Sequence, residues 1–379
     1  MKDNYILTAE SVTAGHPDKL CDTIADNVLD ACLKEDPNAR VACEVLATAG
    51  KILVAGELRT TASPDVEAIV RQTVRNAGYD CNYNVEVRLH TQSPDIAGAV
   101  DGETLGAGDQ GIMYGYACWE TVELLPAPVV LANRITSLLT TCREEKLISG
   151  IGPDGKAQVS VQYAFGVPER VDTIVISCQH DADKDPDELR EELRRLVIAR
   201  ACHDVRIDEQ TKILINPSGR FVLGGFEADT GLTGRKLMVD TYGGLAPHGG
   251  GALSGKDGTK VDRSGAYMAR YVAKNIVAAG LADVCTVSLA YAIGQAEPVA
   301  VEIDTQESGY YDDAFLTEAV RRVFDFTPAG MIRALDLDKP FFAEVCNNCH
   351  FTHPQAAWEQ TDKTEKLRMA CAELEDERT

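Results

Sequence analysis

The order of the predicted strands and helices constrains the fold of this chain more than any other feature of its sequence. The first pass through that order contains a strand, a helix, two strands, a helix and a strand. Its predicted elements are Tyr5–Ala9, a helix after Pro17 with Leu20, Ile24, Val28 and Cys32 on one face, Arg40–Thr48, Lys51–Thr60, a helix from Val66 to Gly78, and Asn84–His90. This β-α-β-β-α-β order predicts a small sheet with helices on one face.

The same order begins again twice. The second pass is predicted as a strand from Ile112, a helix Ala127–Glu145, strands Lys156–Phe165 and Arg170–Gln179, a helix Pro186–Cys202 and a strand Thr211–Asn216. The third pass is predicted from a strand near Lys236–Asp240, a helix Arg263–Ala279, strands Val284–Ala292 and Pro298–Asp304, and a helix Asp312–Phe324, with no clear closing strand. Short helices and a polar tail are expected after Asp325. We therefore predict an α+β fold of three tandem units whose open sheet faces stack around a common axis.

Charge and cysteine content narrow the class of protein. The net charge of −22 over 379 residues argues against nucleic acids and anionic membranes as partners. The twelve cysteines are scattered singly through apolar or helical segments. Because neither a signal-like apolar core at the N-terminus nor a membrane-length apolar run is present, we expect reduced thiols in a cytoplasmic protein.

A glycine-rich stretch, Gly249 to Ser264, is the strongest candidate binding segment. Glycines let backbone N–H groups approach a ligand closely, and Lys256, Lys260 and Arg263 add positive charge beside Asp257 and Asp262. Amides with cations suit a polyphosphate, and neighbouring carboxylates suit a divalent metal shared with it. The stretch misses the P-loop motif at its last position and lacks the buried strand that precedes a P-loop. The alternative interpretation is a flexible loop with solvated charges.

A second glycine motif lies in the long polar loop from Thr91 to Gly111. Gly106-Ala-Gly-Asp-Gln-Gly111 matches the dinucleotide-binding pattern G-x-G-x-x-G. A polar loop precedes it and a strand follows it, whereas the dinucleotide motif joins a strand to a helix. We therefore do not assign it to dinucleotide binding.

Charged residues in other connections could serve the same ligand. His16 and Asp18 open a helix, where a phosphate is favoured by the helix and repelled by Asp18 unless a metal lies between them. The alternative is an ordinary first-turn aspartate. Asp154-Gly155-Lys156 and Arg235-Lys236 stand at loop–strand junctions. Each is equally typical of a solvated turn.

Two carboxylates, Glu44 and Glu57, fall within apolar strands. An unpaired buried carboxylate is costly, so both require a cation, an amine or exposure on an edge strand. Cys346-Asn-Asn-Cys349-His350, with His353, matches haem and zinc spacing. Because haem attachment belongs with secretion and a zinc site would need one short tract to supply every ligand, we expect this segment to bind nothing.

Taken in order, these motifs resemble the S-adenosylmethionine synthetase (methionine adenosyltransferase) family over about residues 4–365. The matching stretches are Glu10-Ser-Val-x-x-Gly-His-Pro-Asp-Lys19, Ala42-Cys-Glu44, Gln92-Ser-Pro-Asp-Ile96, Gly106-Ala-Gly-Asp-Gln-Gly111, Asn216-Pro-Ser-Gly-Arg-Phe221, Gly231-Leu-Thr-Gly-Arg-Lys236, Asp240-Thr-Tyr-Gly-Gly244 and His248 to Ser264. The resemblance implies three domains around a pseudo-threefold axis, with boundaries at 1–98, 111–224 and 225–379 and a gating-loop region at 99–110. It implies a homodimer with active sites between subunits, often paired into a tetramer.

The resemblance also implies a reaction and its cofactors. ATP and L-methionine give S-adenosylmethionine, and the bound tripolyphosphate is hydrolysed to phosphate and pyrophosphate, with two Mg²⁺ ions per site and K⁺. The residues implied as catalytic are His16, Lys156, Arg235 and Lys256. Those implied to bind ATP are His16, Asp109, Asp154, Lys156, Arg220, Phe221, Asp229, Arg235, Lys236, Ala252 and Lys256, with Ile293 beside the adenosine. Those implied to bind methionine are Glu57, Gln92, Asp229 and Lys260, and those for metals are Asp18 and Asp262 (Mg²⁺) and Glu44 (K⁺).

Three departures from the family pattern concern loops. Leu253 replaces an aromatic residue, Gly152 stands where arginine is common, and the segments from Asp80 to Gln92 and of the gating loop are short. They bear on loop motion and turnover more than on the reaction. Two other functions stay open on the residues alone: a P-loop-like ATPase or kinase, and a nucleotide-binding protein without activity.

Overall fold

The computed structural model describes residues 4–91 and 105–378 and contains three β-sheets with helices packed on them. The strands are Asn4–Val12 (β1), Arg40–Thr48 (β2), Lys51–Arg59 (β3), Asn84–His90 (β4), Gly111–Cys118 (β5), Ile151–Ala164 (β6), Val167–His180 (β7), Lys212–Ile215 (β8), Gly231–Leu232 (β9), Val284–Tyr291 (β10) and Ala300–Asp304 (β11). The helices are Pro17–Glu35 (α1), Val66–Asn76 (α2), Ala127–Glu144 (α3), Pro186–Leu193 (α4), Ala199–Ala201 (α5), Leu237–Asp240 (α6), Val261–Ala278 (α7), Asp313–Val323 (α8), Pro328–Leu335 (α9), Phe342–Val345 (α10) and Thr364–Arg378 (α11). A π-helical turn, Arg194–Ile198, joins α4 to α5.

The first sheet has the strand order β4-β3-β2-β9, the second β1-β6-β7-β8 and the third β11-β10-β5. In the first sheet β2 and β3 form a hairpin through Ala49-Gly50, and β3 runs parallel to β4 with α2 as the crossover. Two parallel strands that follow each other in the chain need a crossover connection. The second sheet also has one, with α4 between the parallel strands β7 and β8. The α+β fold with three sheets is therefore confirmed.

The first strand of each repeat does not pair within its own unit. Strand β1 lies antiparallel to β6, from Asn4 opposite Ala164 to Val12 opposite Lys156. Strand β5 likewise pairs with β10, and β9 pairs with β2 at Leu46 and Leu232. This cyclic exchange differs from the expectation of three self-contained sheets. Any strand of suitable pattern can complete an open sheet edge, so the sequence of the strand does not name its partner.

One local prediction is wrong, and two others in the C-terminal region can be compared with the structure. Lys236–Asp240 was expected to be a strand, but residues 237–240 form a helical turn and the short strand β9 precedes them. The third sheet has three strands within the described residues, so no closing strand is present there. The expected polar tail contains the helix α11, which buries Leu367, Cys371 and Leu374.

Helix α1 is buried on more than one side. It packs on β2 and β9, and its apolar residues Leu20, Ile24 and Val28 enter the core. Asp22 and Asp26 are also fully buried, with exposed fractions of 0%. A buried helix bearing buried carboxylates must provide partners for them.

The outward face of the first sheet is open. Along β2 the residues Val41, Cys43 and Val45 are buried, while Glu44 is exposed and Leu46 is 40% exposed. This alternation is the pattern of a sheet covered on one face only. None of the described helices is long and apolar enough to span a bilayer.

Candidate active site

His16 and Asp18 lie where β1 ends and α1 begins. His16 is the N-cap of α1, with extended backbone, and its Nδ1 accepts a hydrogen bond from the Asp18 N–H at 3.2 Å. Pro17 takes the first helical position, where its missing N–H costs nothing. A Cβ on Gly15 would lie 2.5 Å from the Pro153 carbonyl oxygen, so the glycine lets this turn approach β6. His16 is thereby held 5% exposed.

Asp18 connects α1 to the segment after β9. Its carboxylate accepts hydrogen bonds from Lys236 Nζ at 2.5 Å and from the Leu232 N–H at 3.0 Å, and Arg235 Nε lies 3.6 Å away. Burial alone would raise the pKa of Asp18, but the hydrogen bonds from Lys236 and Leu232 and the Lys236 charge lower it below its ordinary value. Asp18 therefore stays ionised.

His16 is neutral in this setting. Burial, followed by the positive charges of Lys236 and Lys156, lowers the pKa of His16 to about 3 despite the opposing charge of Asp18. Because Nδ1 accepts the Asp18 N–H, the proton of the neutral ring is on Nε2. His16 thus offers a neutral N–H donor among cations, which suits a developing oxyanion.

Asp154 and Lys156 lie on β6 next to this turn. The Thr13 N–H donates to the Gly155 carbonyl at 3.0 Å, and Lys156 is exposed opposite Val12. Asp154 is buried and accepts the Gly225 N–H at 2.9 Å. Burial raises the pKa of Asp154, although the Gly225 N–H and the Lys156 charge oppose that shift. We call His16, Asp18, Lys156, Arg235 and Lys236 the His16 group.

A second cluster is built by the glycine-rich stretch at the start of α7. Lys256 Nζ donates to Asp262 at 2.5 Å, and Lys260 Nζ donates to Asp257 at 2.7 Å. A Cβ on Gly251 would lie 2.2 Å from an Asp262 oxygen, so only glycine allows the backbone this close to the carboxylate. We call Lys256, Lys260 and Asp262 the Lys256 group.

The two groups lie next to each other. Gly234, just before Arg235, has φ +79°, and a Cβ there would lie 2.5 Å from the Ala252 Cβ. The turn that carries Arg235 and Lys236 therefore touches the glycine-rich stretch. This contact brings the backbones of the two segments together, while no described contact joins the cationic side chains of one group to those of the other.

The segment around Asp109 borders the glycine-rich stretch. The Ala107 N–H donates to the Gln295 carbonyl at 2.8 Å, which places this segment beside the exposed Ile293. A Cβ on Gly108 would lie 3.1 Å from the Thr259 carbonyl oxygen. Asp109 itself is exposed, and its carboxylate accepts the N–H of Gln110 at 2.7 Å.

Three other residues predicted to bind ATP, Asp229, Phe221 and Arg220, lie outside the two groups. Asp229 is exposed, and its negative charge acts on Asp154. Phe221 is held by His180, which donates its N–H to the Phe221 carbonyl at 2.8 Å, while Arg220 is exposed. No described contact joins Arg220 to the His16 group.

Glu44 and Glu57 lie on the open face of the first sheet. Glu57 faces His90 Nε2 at 3.4 Å, and Glu44 is exposed without an ion pair among the described residues. Ala42 pairs with Glu57 on one side and with Lys256 on the other. Since residues opposed in antiparallel pairs share a face, Glu57 and Lys256 lie on the same side of the sheet. Gln92 and residues 99–104 of the predicted gating-loop region lie outside the described residues.

The predicted magnesium carboxylates fit a substrate-shared ion. Asp18 and Asp262 each face a lysine ammonium at 2.5 Å, so each is placed to hold a cation. Within residues 4–91 and 105–378 no three His, Cys, Asp or Glu side chains converge. Mg²⁺ is usually held by one or two carboxylates, with phosphates and water completing its shell. Single carboxylates beside lysine ammonium groups match that pattern.

A cavity of ≈ 840 Å³ lies elsewhere, between α3, β7 and α7. Its lining includes Trp119, Val167, Lys274 and Glu359, and it contains none of the predicted site residues. The predicted site is an open, highly charged region, and such a surface need not form an enclosed pocket before its ligand binds.

Sequence reasoning missed the aspartates beneath the site. Asp22 and Asp26 accept backbone N–H groups from the two loops that carry the cations. Asp18, Asp22, Asp26 and Asp30 recur every fourth residue, which places them along one face of α1. That spacing was visible in the sequence, but a row of helical carboxylates is more often a solvated face.

Three family models match successive parts of the chain. The N-terminal domain of S-adenosylmethionine synthetase matches residues 4–102, the central domain residues 104–221, and the C-terminal domain residues 223–360. Together the matches cover residues 4–360 apart from 103 and 222. Both cation groups fall inside the matched ranges.

Proposed function

This chain belongs to the S-adenosylmethionine synthetase family and is a methionine adenosyltransferase, and we propose that its reaction takes place where the His16 group meets the Lys256 group. The observation that carries the placement is that each group pairs a lysine with a carboxylate, Lys236 with Asp18 and Lys256 with Asp262, and adds further cations beside the pair. A polyphosphate is the ligand that such a region suits best.

The reaction requires little acid–base chemistry. A lone pair of the methionine sulfur attacks C5′ of ATP, the C–S bond forms, and the C5′–O bond breaks with its electron pair on the tripolyphosphate oxygen. The thioether sulfur carries no proton, so no general base is needed. The barrier then depends on aligning sulfur with C5′ and on stabilising the departing oxygen.

Residues of the His16 group are proposed to act on the leaving group. The neutral Nε2–H of His16 donates to the departing oxygen, while Lys156, Arg235 and Lys236 bind phosphate oxygens. Lys256 binds phosphate oxygens of the same tripolyphosphate from the other side. Asp18 and Asp262 would hold magnesium, which would supply further positive charge to the tripolyphosphate. Hydrolysis of the tripolyphosphate would use the same contacts.

The remaining nucleotide and methionine contacts are proposals of the same kind. Asp109, Asp154, Arg220, Phe221 and Ala252 are assigned to ATP. Glu57, Gln92, Asp229 and Lys260 are assigned to methionine, where a carboxylate suits the amino group and a lysine the carboxyl group. Glu44 is assigned to K⁺.

We propose a homodimer with active sites between the subunits, and pairing of dimers. Glu44, Glu57 and Leu46 lie on an open sheet face, which a second copy would cover. The site would then take the His16 group from one subunit and the Lys256 group from its partner. In a twofold dimer, randomly mixed His16→Ala and Lys256→Ala subunits should regain about a quarter of wild-type turnover. No recovery in confirmed mixed dimers would contradict shared sites.

A cytoplasmic location is proposed from the thiols. All twelve cysteines lie within the described residues, and each is a free thiol. Such a chain suits a reducing compartment.

The reaction is tested by incubating the protein with ATP, methionine, Mg²⁺ and K⁺ and identifying the products by mass spectrometry. The expected products are S-adenosylmethionine, phosphate and pyrophosphate. A kinase would instead label an acceptor with phosphate, and an inactive nucleotide-binding protein would give no product. Either result would overturn the placement of this chemistry on the chain.

A further inference from the structure

Four aspartates of α1 hold segments that follow residue 230 in the chain. The carboxylate of each aspartate accepts at least one backbone N–H from the segment that it holds. The bonds are Asp18 from Leu232 at 3.0 Å, Asp22 from Gly234 at 2.9 Å, Asp26 from Gly255 at 2.7 Å, and Asp30 from Phe342 and Ala343, both at 2.9 Å. The helix thus binds three separate segments along one face.

The bonds of Asp22 and Asp26 end on Gly234 and Gly255, where the backbone admits no side chain. Gly234 and Gly255 both have φ +79°, which side chains rarely adopt. A Cβ on Gly255 would lie 1.9 Å from the Cys43 carbonyl oxygen, and one on Gly234 would lie 2.5 Å from the Ala252 Cβ. Neither residue can anchor its loop with a side chain, so the backbone does so: both N–H groups donate to the aspartates, and the Gly255 carbonyl also accepts the Cys43 N–H at 2.9 Å. Gly234 immediately precedes Arg235, and Gly255 immediately precedes Lys256.

The acceptors are themselves immobilised. Asp26 receives both terminal nitrogens of Arg263, at 2.7 and 2.8 Å, and the guanidinium of Arg263 lies 4.1 Å from the centre of the Phe342 ring. Asp22 receives Lys19 Nζ at 3.3 Å, and Lys19 also contacts Asp240. These side chains are buried, and buried charges are tolerated only when they are paired and hydrogen-bonded. The network therefore holds the carboxylates in one position.

We propose that Asp22 and Asp26 are positioning residues of the transferase: Asp22 fixes the Arg235–Lys236 turn, and Asp26 fixes the Lys256 loop, on the helix that His16 caps. The proposal rests on the proposed function of these loops. Because His16 caps the same helix, one rigid element fixes the neutral donor and both sets of cations. A misplacement of about 1 Å can cost about a hundredfold in rate, so such a support affects turnover without touching substrate.

Asp22 holds Gly234 through its acceptor oxygen, and this hydrogen bond does not require a negative charge. Burial raises the pKa of Asp22 to about 7, against the attraction of Lys19. The carboxyl group accepts the Gly234 N–H in either protonation state. An amide at this position keeps an oxygen for Gly234, whereas a methyl group does not.

The test compares Asp22→Ala, Asp22→Asn and Asp30→Ala with the wild type. Asp22→Ala is expected to lower kcat about tenfold or more, both for S-adenosylmethionine formation and for cleavage of added tripolyphosphate, with the methionine KM within about threefold. Asp22→Asn should recover turnover to within about threefold of wild type. Asp30→Ala is the matched control: it loses two N–H bonds on the same helix face, so it should lower Tm but keep kcat within about twofold.

The outcomes distinguish a failure of the proposed function from a failure of the positioning role alone. A wild-type protein that forms no S-adenosylmethionine would overturn the proposed function itself. An active wild type with an Asp22→Ala variant that loses only Tm, or that changes only the methionine KM, would overturn the positioning role. If Asp22→Ala does not fold, Asp22→Ser replaces it. Ser leaves a hydroxyl near Lys19 but is too short for Gly234, and the same loss of kcat is expected.

Discussion

Lys236 donates a hydrogen bond to Asp18 at 2.5 Å, joining residues 218 positions apart in the chain. Lys256 and Asp262 repeat the arrangement at 2.5 Å within a single loop. In each pair the carboxylate forms an ion pair with the lysine ammonium and so neutralises its charge. A polyphosphate can take over the lysine, and the carboxylate is then free for a metal ion bound to the same phosphates.

The first prediction concerns magnesium. Asp18→Asn should raise the Mg²⁺ concentration for half-maximal activity about tenfold or more, because it removes a charged ligand. A titration of turnover against Mg²⁺ measures this. The control is Glu86→Gln, which removes an exposed Lys51–carboxylate pair of the same length, 2.5 Å. An unchanged Mg²⁺ requirement in Asp18→Asn would contradict the assignment.

The second prediction separates methionine from phosphate contacts. Glu57→Gln should weaken methionine binding by about 1.5–3 kcal/mol, the value of a charged hydrogen bond, and should leave tripolyphosphate cleavage nearly intact. Lys256→Ala should lower the turnover of both reactions, because its contact strengthens as charge moves onto the phosphates. Steady-state kinetics with ATP plus methionine, and with tripolyphosphate alone, distinguish them. If Lys256→Ala raises only the methionine KM, the glycine-rich stretch does not bind the phosphates.

The third prediction concerns the monovalent cation. Glu44 is exposed on the open sheet face, and we expect it to hold K⁺ once that face is covered by a second subunit. Replacing K⁺ with Na⁺ should lower turnover, and Glu44→Gln should remove most of the difference between the two salts. Full activity in a sodium-only buffer would argue against this role. The matched control is Glu302→Gln, an exposed strand carboxylate on β11.

The fourth prediction concerns His16 and acid. Because its folded pKa is about 3 and its ordinary value is 6.5, the unfolded chain binds a proton at His16 between these values while the folded protein does not. Stability therefore falls as pH decreases from 6.5 towards 3, by at most about 1.4 kcal/mol per pH unit from this group. His16→Asn should lack that contribution, so its stability relative to wild type should increase in acid.

Urea unfolding of both proteins at about pH 7 and about pH 5 measures the difference, since other titrating groups largely cancel between them. His203→Asn, at an exposed histidine, is the control and should show no such trend. A His16→Asn variant whose relative stability is independent of pH would show that His16 is protonated normally in the folded protein.

The fifth prediction is that the Cys346–Cys349 segment binds neither zinc nor haem. The Cys349 thiol donates to the Thr241 carbonyl at 2.9 Å, and His350 Nδ1 lies 2.7 Å from the Tyr267 hydroxyl. Burial raises the pKa of Cys349 to about 12, which disfavours the thiolate that a metal needs. Elemental analysis and the absorption spectrum of purified protein test this. Stoichiometric zinc or a haem band would contradict it.

Local pattern was sufficient for most elements. The strands Arg40–Thr48 and Asn84–His90 have the predicted bounds, because their side chains alternate between two faces. The glycine-rich stretch was identified from the chemistry of its residues. Lys236–Asp240 was mistaken for a strand because a short apolar run fits a strand and a helical turn equally well.

The sequence by itself determined which segments form strands and helices, which family they resemble, and which residues carry the charges. Only the tertiary structure decided that β1 pairs with β6 across the unit boundary, that Lys236 meets Asp18, and that Asp22 and Asp26 are buried supports. The physical reason is that side-chain periodicity specifies a face, whereas backbone hydrogen bonds are the same for every partner. Partners are therefore chosen by the packing of the whole chain.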